Sequence, residues 1–217
     1  NRAELLSALG LAAETRIIGD GELILRAYLH WNEACLEHLL GDFAFAIWDP
    51  RSQQFFAARD QMGMRQLIYT YAPGKLFAFA TEPEAILALQ GVPKQINEAR
   101  IADYLDDLEA ADYTSTFYES LFRLPPAHCL SVDANGLNIR CYWTIHPVPE
   151  LKLDSDEAYA AAFLQVFTEA VRSRLRCNGP VGSMLSGGMD SGSVVAVASR
   201  LLQAGGRAPL QTFSAVG

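Results

Sequence analysis

The chain has 217 residues, enough for one or two domains, and half of them are hydrophobic, enough for a sizeable core. A formal net charge of −8 argues against a nucleic-acid surface. No apolar run approaches the roughly 18 residues of a membrane span and no signal-peptide pattern is present, so no membrane and no nucleic acid are among the expected partners. Cys35, Cys129, Cys141 and Cys177 are scattered, with no CxxC pair and no histidines at metal spacing. They read as reduced thiols of a cytoplasmic protein.

The opening NRAELLSALG carries neither a start Met nor a targeting pattern, and reads as the interior of a longer protein. Asn1 or Ser7 is a candidate cap for a short helix with Leu5, Leu6 and Leu9 on its buried face. Leu23, Ile24, Ala27, Tyr28 and Trp31 then recur at helical spacing, and Asp20 in Gly19-Asp20-Gly21-Glu22 is the expected N-cap. Cys35, Leu36, Leu39 and Leu40 predict a second short helix, stopped by Gly41.

Four apolar runs follow: 42–48, 55–59, 67–71 and 76–80. Asp49-Pro50-Arg51-Ser52 and Ala72-Pro73-Gly74-Lys75 are turn sequences, and such short connections predict an antiparallel meander. In GDFAFAIWD, Phe43, Phe45 and Ile47 face one way and Ala44, Ala46 and Trp48 the other. Both faces are apolar, which predicts a sheet covered on both sides in a layered sandwich. Arg59-Asp60 and Gly63 interrupt the pattern and read as a loop with an ion pair. Short helices are expected over 83–90 and 97–107, while 112–116 shows no period. Leu124-Pro125-Pro126 is a rigid extended link. Residues 128–132 and 137–143 form a hairpin across Asp133-Ala134-Asn135-Gly136. His128 reads as a satisfied structural residue.

Residues 144–153 contain two prolines and read as an interdomain linker. Asp154 and Glu157 suggest a capping box for a helix with Tyr159, Phe163, Val166, Phe167, Ala170 and Val171 on one face. Arg172, Arg174 and Arg176 suit its C-terminus, and Gly179-Pro180 breaks it. An apolar strand at 181–185 leads into Ser186-Gly187-Gly188-Met189-Asp190-Ser191. Val194, Val195, Ala198, Leu201 and Leu202 then predict a helix ended by Gly205-Gly206. Residues 210–216 read as the next strand of a parallel β-α-β unit, with Leu185 and Val216 at the carboxyl ends where such sheets bind ligands.

The strand-to-helix turn carries the chemistry. Glycines at 187 and 188 let an anion approach backbone N–H groups, and the helix N-terminus adds donors and partial positive charge. Ser186 and Ser191 add hydroxyls. Asp190 would repel a phosphate unless Mg²⁺ stood between them. The alternative reading is a glycine-rich turn with Asp190 as a helix cap. No GxxxxGK[ST] is present, which excludes a Walker A loop.

SGGMDS resembles the PP-loop of ATP pyrophosphatases, which cleave ATP between the α and β phosphates and activate an acid as its adenylate. The order of longer segments resembles glutamine-dependent asparagine synthetase. GDFAFAIWDPRSQQFFAARDQMGMRQLIY, FATEPEAILA and LFRLPPAHCLSV with Tyr142-Trp143 match its glutaminase domain, and MLSGGMDSGSVVA matches the start of its synthetase domain. The resemblance implies a glutamine amidotransferase type 2 domain over 1–145, an α+β Ntn-type sandwich incomplete at its N-terminus. It implies an α/β PP-loop ATP pyrophosphatase domain over 154–217, incomplete at its C-terminus. Asp20 falls on the residue that binds the α-amino group of glutamine. Leu185, Ser186, Gly187, Gly188, Asp190 and Ser191 fall on the ATP-binding loop, Asp190 on the Mg²⁺-linked carboxylate, and Ala215 on a backbone contact to adenine.

The implied cofactors are ATP and Mg²⁺, and the implied substrates are glutamine and a carboxylic acid such as aspartate. A homodimer stays open. The family's N-terminal Cys nucleophile is absent from this chain, so no catalytic residue is assigned. Arg65-Gln66 stands where Lys-Pro is usual, which suggests a divergent branch. Two alternatives follow: a ring-closing relative of the β-lactam synthetase or lasso-peptide cyclase type, and an inert nucleotide-binding module.

Overall fold

A computed structural model describes residues 1–106, 108 and 112–215. Two compact units emerge, Asn1–His146 and Pro147–Gly217. The C-terminal end of the helix expected over 97–107 lies outside the described residues, as does Val216 at the end of the last expected strand.

In the first unit, helix α1 (Arg2–Ala8) and helix α2 (Asp20–Trp31) precede a 3-10 helix, Asn32–Glu37, which is the second short helix expected around Cys35 and Leu36. Strands β1 (Ala44–Asp49), β2 (Gln54–Arg59), β3 (Ile68–Ala72) and β4 (Leu76–Ala80) follow. Helices α3 (Pro83–Leu87) and α4 (Glu98–Leu105) lead to β5 (Phe122–Arg123), β6 (His128–Asp133) and β7 (Gly136–Cys141). The meander expected from the short turns does not form. β1–β2 and β3–β4 are antiparallel hairpins, but they join different sheets, ordered β1-β2-β6-β7 and β4-β3-β5.

The alternation in 42–48 explains the layers. Phe43, Phe45 and Ile47 pack with Leu23, Ala27 and Tyr28 of α2 and with Phe56 of β2. Ala44 and Ala46, on the other face, pack with Ala57 and Leu130 against Leu67 and Tyr69 on the second sheet. That sheet's far side packs Ile68 against Ile86 and Leu87 of α3. The order is helix, sheet, sheet, helix, an α+β sandwich. Trp48 departs from the expected buried face and is 56% exposed at the rim.

Arg59 and Asp60 sit where the chain crosses between sheets. The expected loop is there, but in place of a simple ion pair the two side chains turn to the main chain. Both are buried, and both address the backbone. The Arg59 guanidinium donates to the carbonyls of Gly63 (2.6 Å), Arg65 (2.7 Å) and Leu124 (2.7 Å). The Asp60 carboxylate accepts from the N–H groups of Met62 (3.2 Å), Met64 (2.8 Å) and Arg65 (3.0 Å). Burial lowers the Arg59 pKa, and Asp60 opposes that shift. Gly63 has φ +65°, and a Cβ there would lie 2.8 Å from Pro126 and 3.0 Å from the Arg59 guanidinium carbon. Only glycine meets both constraints.

In the second unit, α5 (Asp156–Arg174) is capped by Ser155, whose hydroxyl accepts from Ala158 N–H, rather than by Asp154. Val171 and Leu175 pack on Ala198 and Leu202 of α6 (Met189–Ala204). Phe163, Val166 and Leu164, earlier on α5, are exposed, so its apolar stripe is covered only at the C-terminal end. Arg172 and Arg174 lie in its last turn as expected, and Arg207 adds a further cation there by donating to Leu175 O (2.5 Å). Strands β8 (Gly182–Met184) and β9 (Gln211–Phe213) pair in parallel around α6, as the β-α-β pattern predicts, although both are shorter than expected.

Asp60→Ala strips the acceptor from three part-buried N–H groups. A net hydrogen bond contributes about 0.5–1.5 kcal/mol, so urea denaturation is expected to show a loss of about 1.5–4.5 kcal/mol. A loss below about 1 kcal/mol would show that the crossover is held by other contacts.

Candidate functional site

The glycine turn follows β8 directly. Gly187 has φ +82° with open space around an added Cβ, so its conformation, not crowding, calls for glycine. Gly188 is the N-cap of α6, and no side chain caps that helix. Asp190 therefore does not cap α6. Among the described residues its carboxylate has no hydrogen bond or ion pair, and the N–H groups of 187–191 have no partner. Ser186 N–H donates to Ser191 Oγ at 3.2 Å, and the two hydroxyls lie 3.0 Å apart. The turn thus presents donors at a positive helix end, with a carboxylate at its edge.

The carboxyl end of β9 meets this turn. Leu185 N–H donates to Phe213 O at 2.8 Å, and Ser214 Oγ donates to Leu185 O at 2.7 Å. Ala215 follows Ser214. Sequence reasoning missed Ser214. The signal was available, because parallel register pairs Met184 with Phe213 and so brings the next residues of both strands together.

Asp20 belongs to the first unit. Gly19, not Asp20, is the N-cap of α2, and Asp20 is the first helical residue. Its carboxylate pairs with Arg2 at 2.6 Å and is 61% exposed. Arg2 also donates to Ile18 O. Glu22, beside it, is lowered to about 2, chiefly by its hydrogen bond to Arg16. A cleft of about 530 Å³ adjoins this segment, lined in part by Gly21, Ile24, Asp42, Arg65, Gln66 and Glu82. A second cleft, of about 590 Å³, is largely aromatic, with Trp48, Phe55, Phe77 and Phe79 in its walls.

Residues 1–143 match the model of the glutamine amidotransferase domain, and residues 162–216 match that of asparagine synthase. The chain belongs to the glutamine-dependent asparagine synthetase family. It is 34% identical over 195 residues to asparagine synthetase [glutamine-hydrolyzing] 3 of Bacillus subtilis, covering 90% of this chain and 31% of that protein. It is 34% identical to amidase chry2 of Gibberella zeae, over 90% of this chain and 29% of that one. A putative asparagine synthetase [glutamine-hydrolyzing] 2 of Methanocaldococcus jannaschii is 31% identical, over 91% of this chain and 38% of that one. The chain therefore spans about a third of these relatives' length. Glutamine phosphoribosylpyrophosphate amidotransferase of Bacillus subtilis aligns over 98% of this chain and 43% of its own, at 14% identity. Its TM-score of 0.42 leaves that likeness without weight.

The cysteines of this family member divide by environment. Burial pushes Cys35 up to about 12 and Cys129 up to about 11, which makes both inert thiols. The Cys177 thiol is lowered, first by a backbone hydrogen bond at Gly179 and then by Arg207, whose Nη2 lies 3.2 Å from Sγ. Iodoacetamide at pH 7.5 is expected to alkylate Cys177 first and to reach Cys35 and Cys129 only on unfolding. Arg207→Gln raises the Cys177 pKa and lowers its thiolate fraction at that pH, so its alkylation slows. Mass-spectrometric rates check the order, and an unchanged Cys177 rate in Arg207→Gln would remove Arg207 from the account.

Proposed function

We propose that this chain belongs to an ATP-dependent, amide-forming ligase of the asparagine synthetase type, which activates a carboxylic acid such as aspartate and receives ammonia from glutamine. The observation that carries the reading is the glycine turn, whose N–H groups at 187–191 and Asp190 carboxylate have no partner among the described residues. These groups fit a pyrophosphate and a magnesium ion. Ser186, Gly187, Gly188 and Ser191 hold the anion, Leu185 positions the turn, and Asp190 faces the metal. Ala215, two residues past β9, would offer its backbone to the adenine.

Magnesium ATP, when bound, supplies the phosphorus that the acid's carboxylate attacks, with pyrophosphate as the leaving group. The chain's own residues hold that leaving group. Donors aimed at a departing anion stabilise the charge that develops there and need no reorganisation. Asp20 takes the α-ammonium of glutamine beside the cleft at Gly21, and its pairing with Arg2 at 2.6 Å orients the carboxylate.

In the protein at its relatives' full length, Asp190→Asn is nearly isosteric and keeps the fold. Acid-dependent ATP–pyrophosphate exchange is expected to fall tenfold to a hundredfold, as loss of a charge-assisted contact of about 1.5–3 kcal/mol requires. Full exchange in the variant would rule out the metal role of Asp190.

A further inference from the structure

We infer that Ser214 is a positioning residue for the nucleotide turn, acting through the Leu185–Ser186 peptide. The inference rests on the nucleotide reading of that turn and adds a residue to it. In a trans peptide the C=O and N–H point in opposite directions. Here both ends of one peptide unit are held by serine hydroxyls. Ser214 Oγ donates to Leu185 O at 2.7 Å, and Ser191 Oγ accepts from Ser186 N–H at 3.2 Å. One serine ends β9 and the other lies in the first turn of α6. Only the Ser186–Gly187 peptide separates the one they hold from the left-handed Gly187.

The consequence is electrostatic. With the peptide held, Ser186 points its N–H toward the start of α6. A flipped peptide would turn the Leu185 carbonyl oxygen toward that same helix end. A partial negative charge would then stand beside the free N–H groups of 187–191 and oppose an anion. Ser191 alone does not prevent this flip, because its hydroxyl also donates to Gly188 O (3.3 Å) and lies 3.0 Å from Ser186 Oγ. It can serve as donor or acceptor in either state. The Ser214 bond exists only in the observed orientation. Leu185 N–H, bonded to Phe213 O, fixes the strand beneath but leaves the following peptide free to rotate. Ser214 is exposed, so its loss leaves the core of the second unit intact.

The test compares the chain with its Ser214→Ala and Ser214→Thr variants by amide NMR and by titration with magnesium pyrophosphate. A net hydrogen bond of ordinary strength corresponds to about threefold to tenfold weaker pyrophosphate binding in Ser214→Ala. The amides of Ser186, Gly187 and Gly188 are expected to shift before any ligand is added. Ser214→Thr, which keeps the hydroxyl, restores both. Thermal unfolding of both variants is expected to match the parent chain. If the amides of 186–188 are unmoved in Ser214→Ala, the inference is overturned whatever the ligand does. If Ser214→Thr fails to restore them, the hydroxyl is not the cause and the inference is also overturned. Failure of the parent chain to bind magnesium pyrophosphate overturns the nucleotide reading instead, and the amide shifts still decide the role of Ser214.

Discussion

Two adjacent buried charges set the architecture of the first unit. A guanidinium and a carboxylate removed from water must be matched by hydrogen bonds or they destabilise the fold. Arg59 and Asp60 achieve this by turning away from solvent and toward main-chain groups on both sides of a crossover. Arg59 reaches Leu124, 65 residues later, and Asp60 O accepts from Ala127 N–H. The segment that leaves the second sheet and enters β6 is therefore tied to the one that leaves β2. The Tyr142 hydroxyl closes the same node on Arg59 O at 2.7 Å. Burial of the apolar faces stabilises each sheet, and this node ties together the two segments that cross between them.

The same crossover lines the cleft beside Asp20. Met64, Arg65 and Gln66 contribute to its wall, and Asp60 holds the first two by their N–H groups. A buried structural carboxylate thus sets the shape of a surface recess. In the second unit the logic is reversed. There the backbone groups at the start of α6 are left without partners, and a turn with unmet donors invites a ligand rather than a structural partner.

Much of this was legible in the residues. The period of Leu23, Ala27 and Tyr28 located α2, and the two faces of 43–48 announced a sheet covered on both sides. The motif at 186–191, with an apolar run before it and helical spacing after it, fell on a strand-to-helix turn as read. What was not legible depended on distant contacts. The β2-to-β3 crossover looked like a loop with a simple ion pair because its partner is Leu124, and no local pattern reports such a partner. Cap positions slipped by one residue at Gly19 and Ser155, since neighbouring polar residues compete for one geometric role. Arg172 and Arg174 lie in the last turn of α5 as read, but the further cation at that end, Arg207, comes from beyond α6 and was not legible. Ser214 was hidden for a related reason. A lone serine at a strand end means little until the parallel register sets it opposite Leu185.

The central claim is that the turn at 185–191 receives the phosphates of ATP. A crystal structure of the protein with magnesium and a non-hydrolysable ATP analogue tests it most directly. The account predicts the β and γ phosphates on the N–H groups of 187–191, with the metal between them and Asp190. Ordered phosphates bound elsewhere, with those N–H groups left to water, would contradict it.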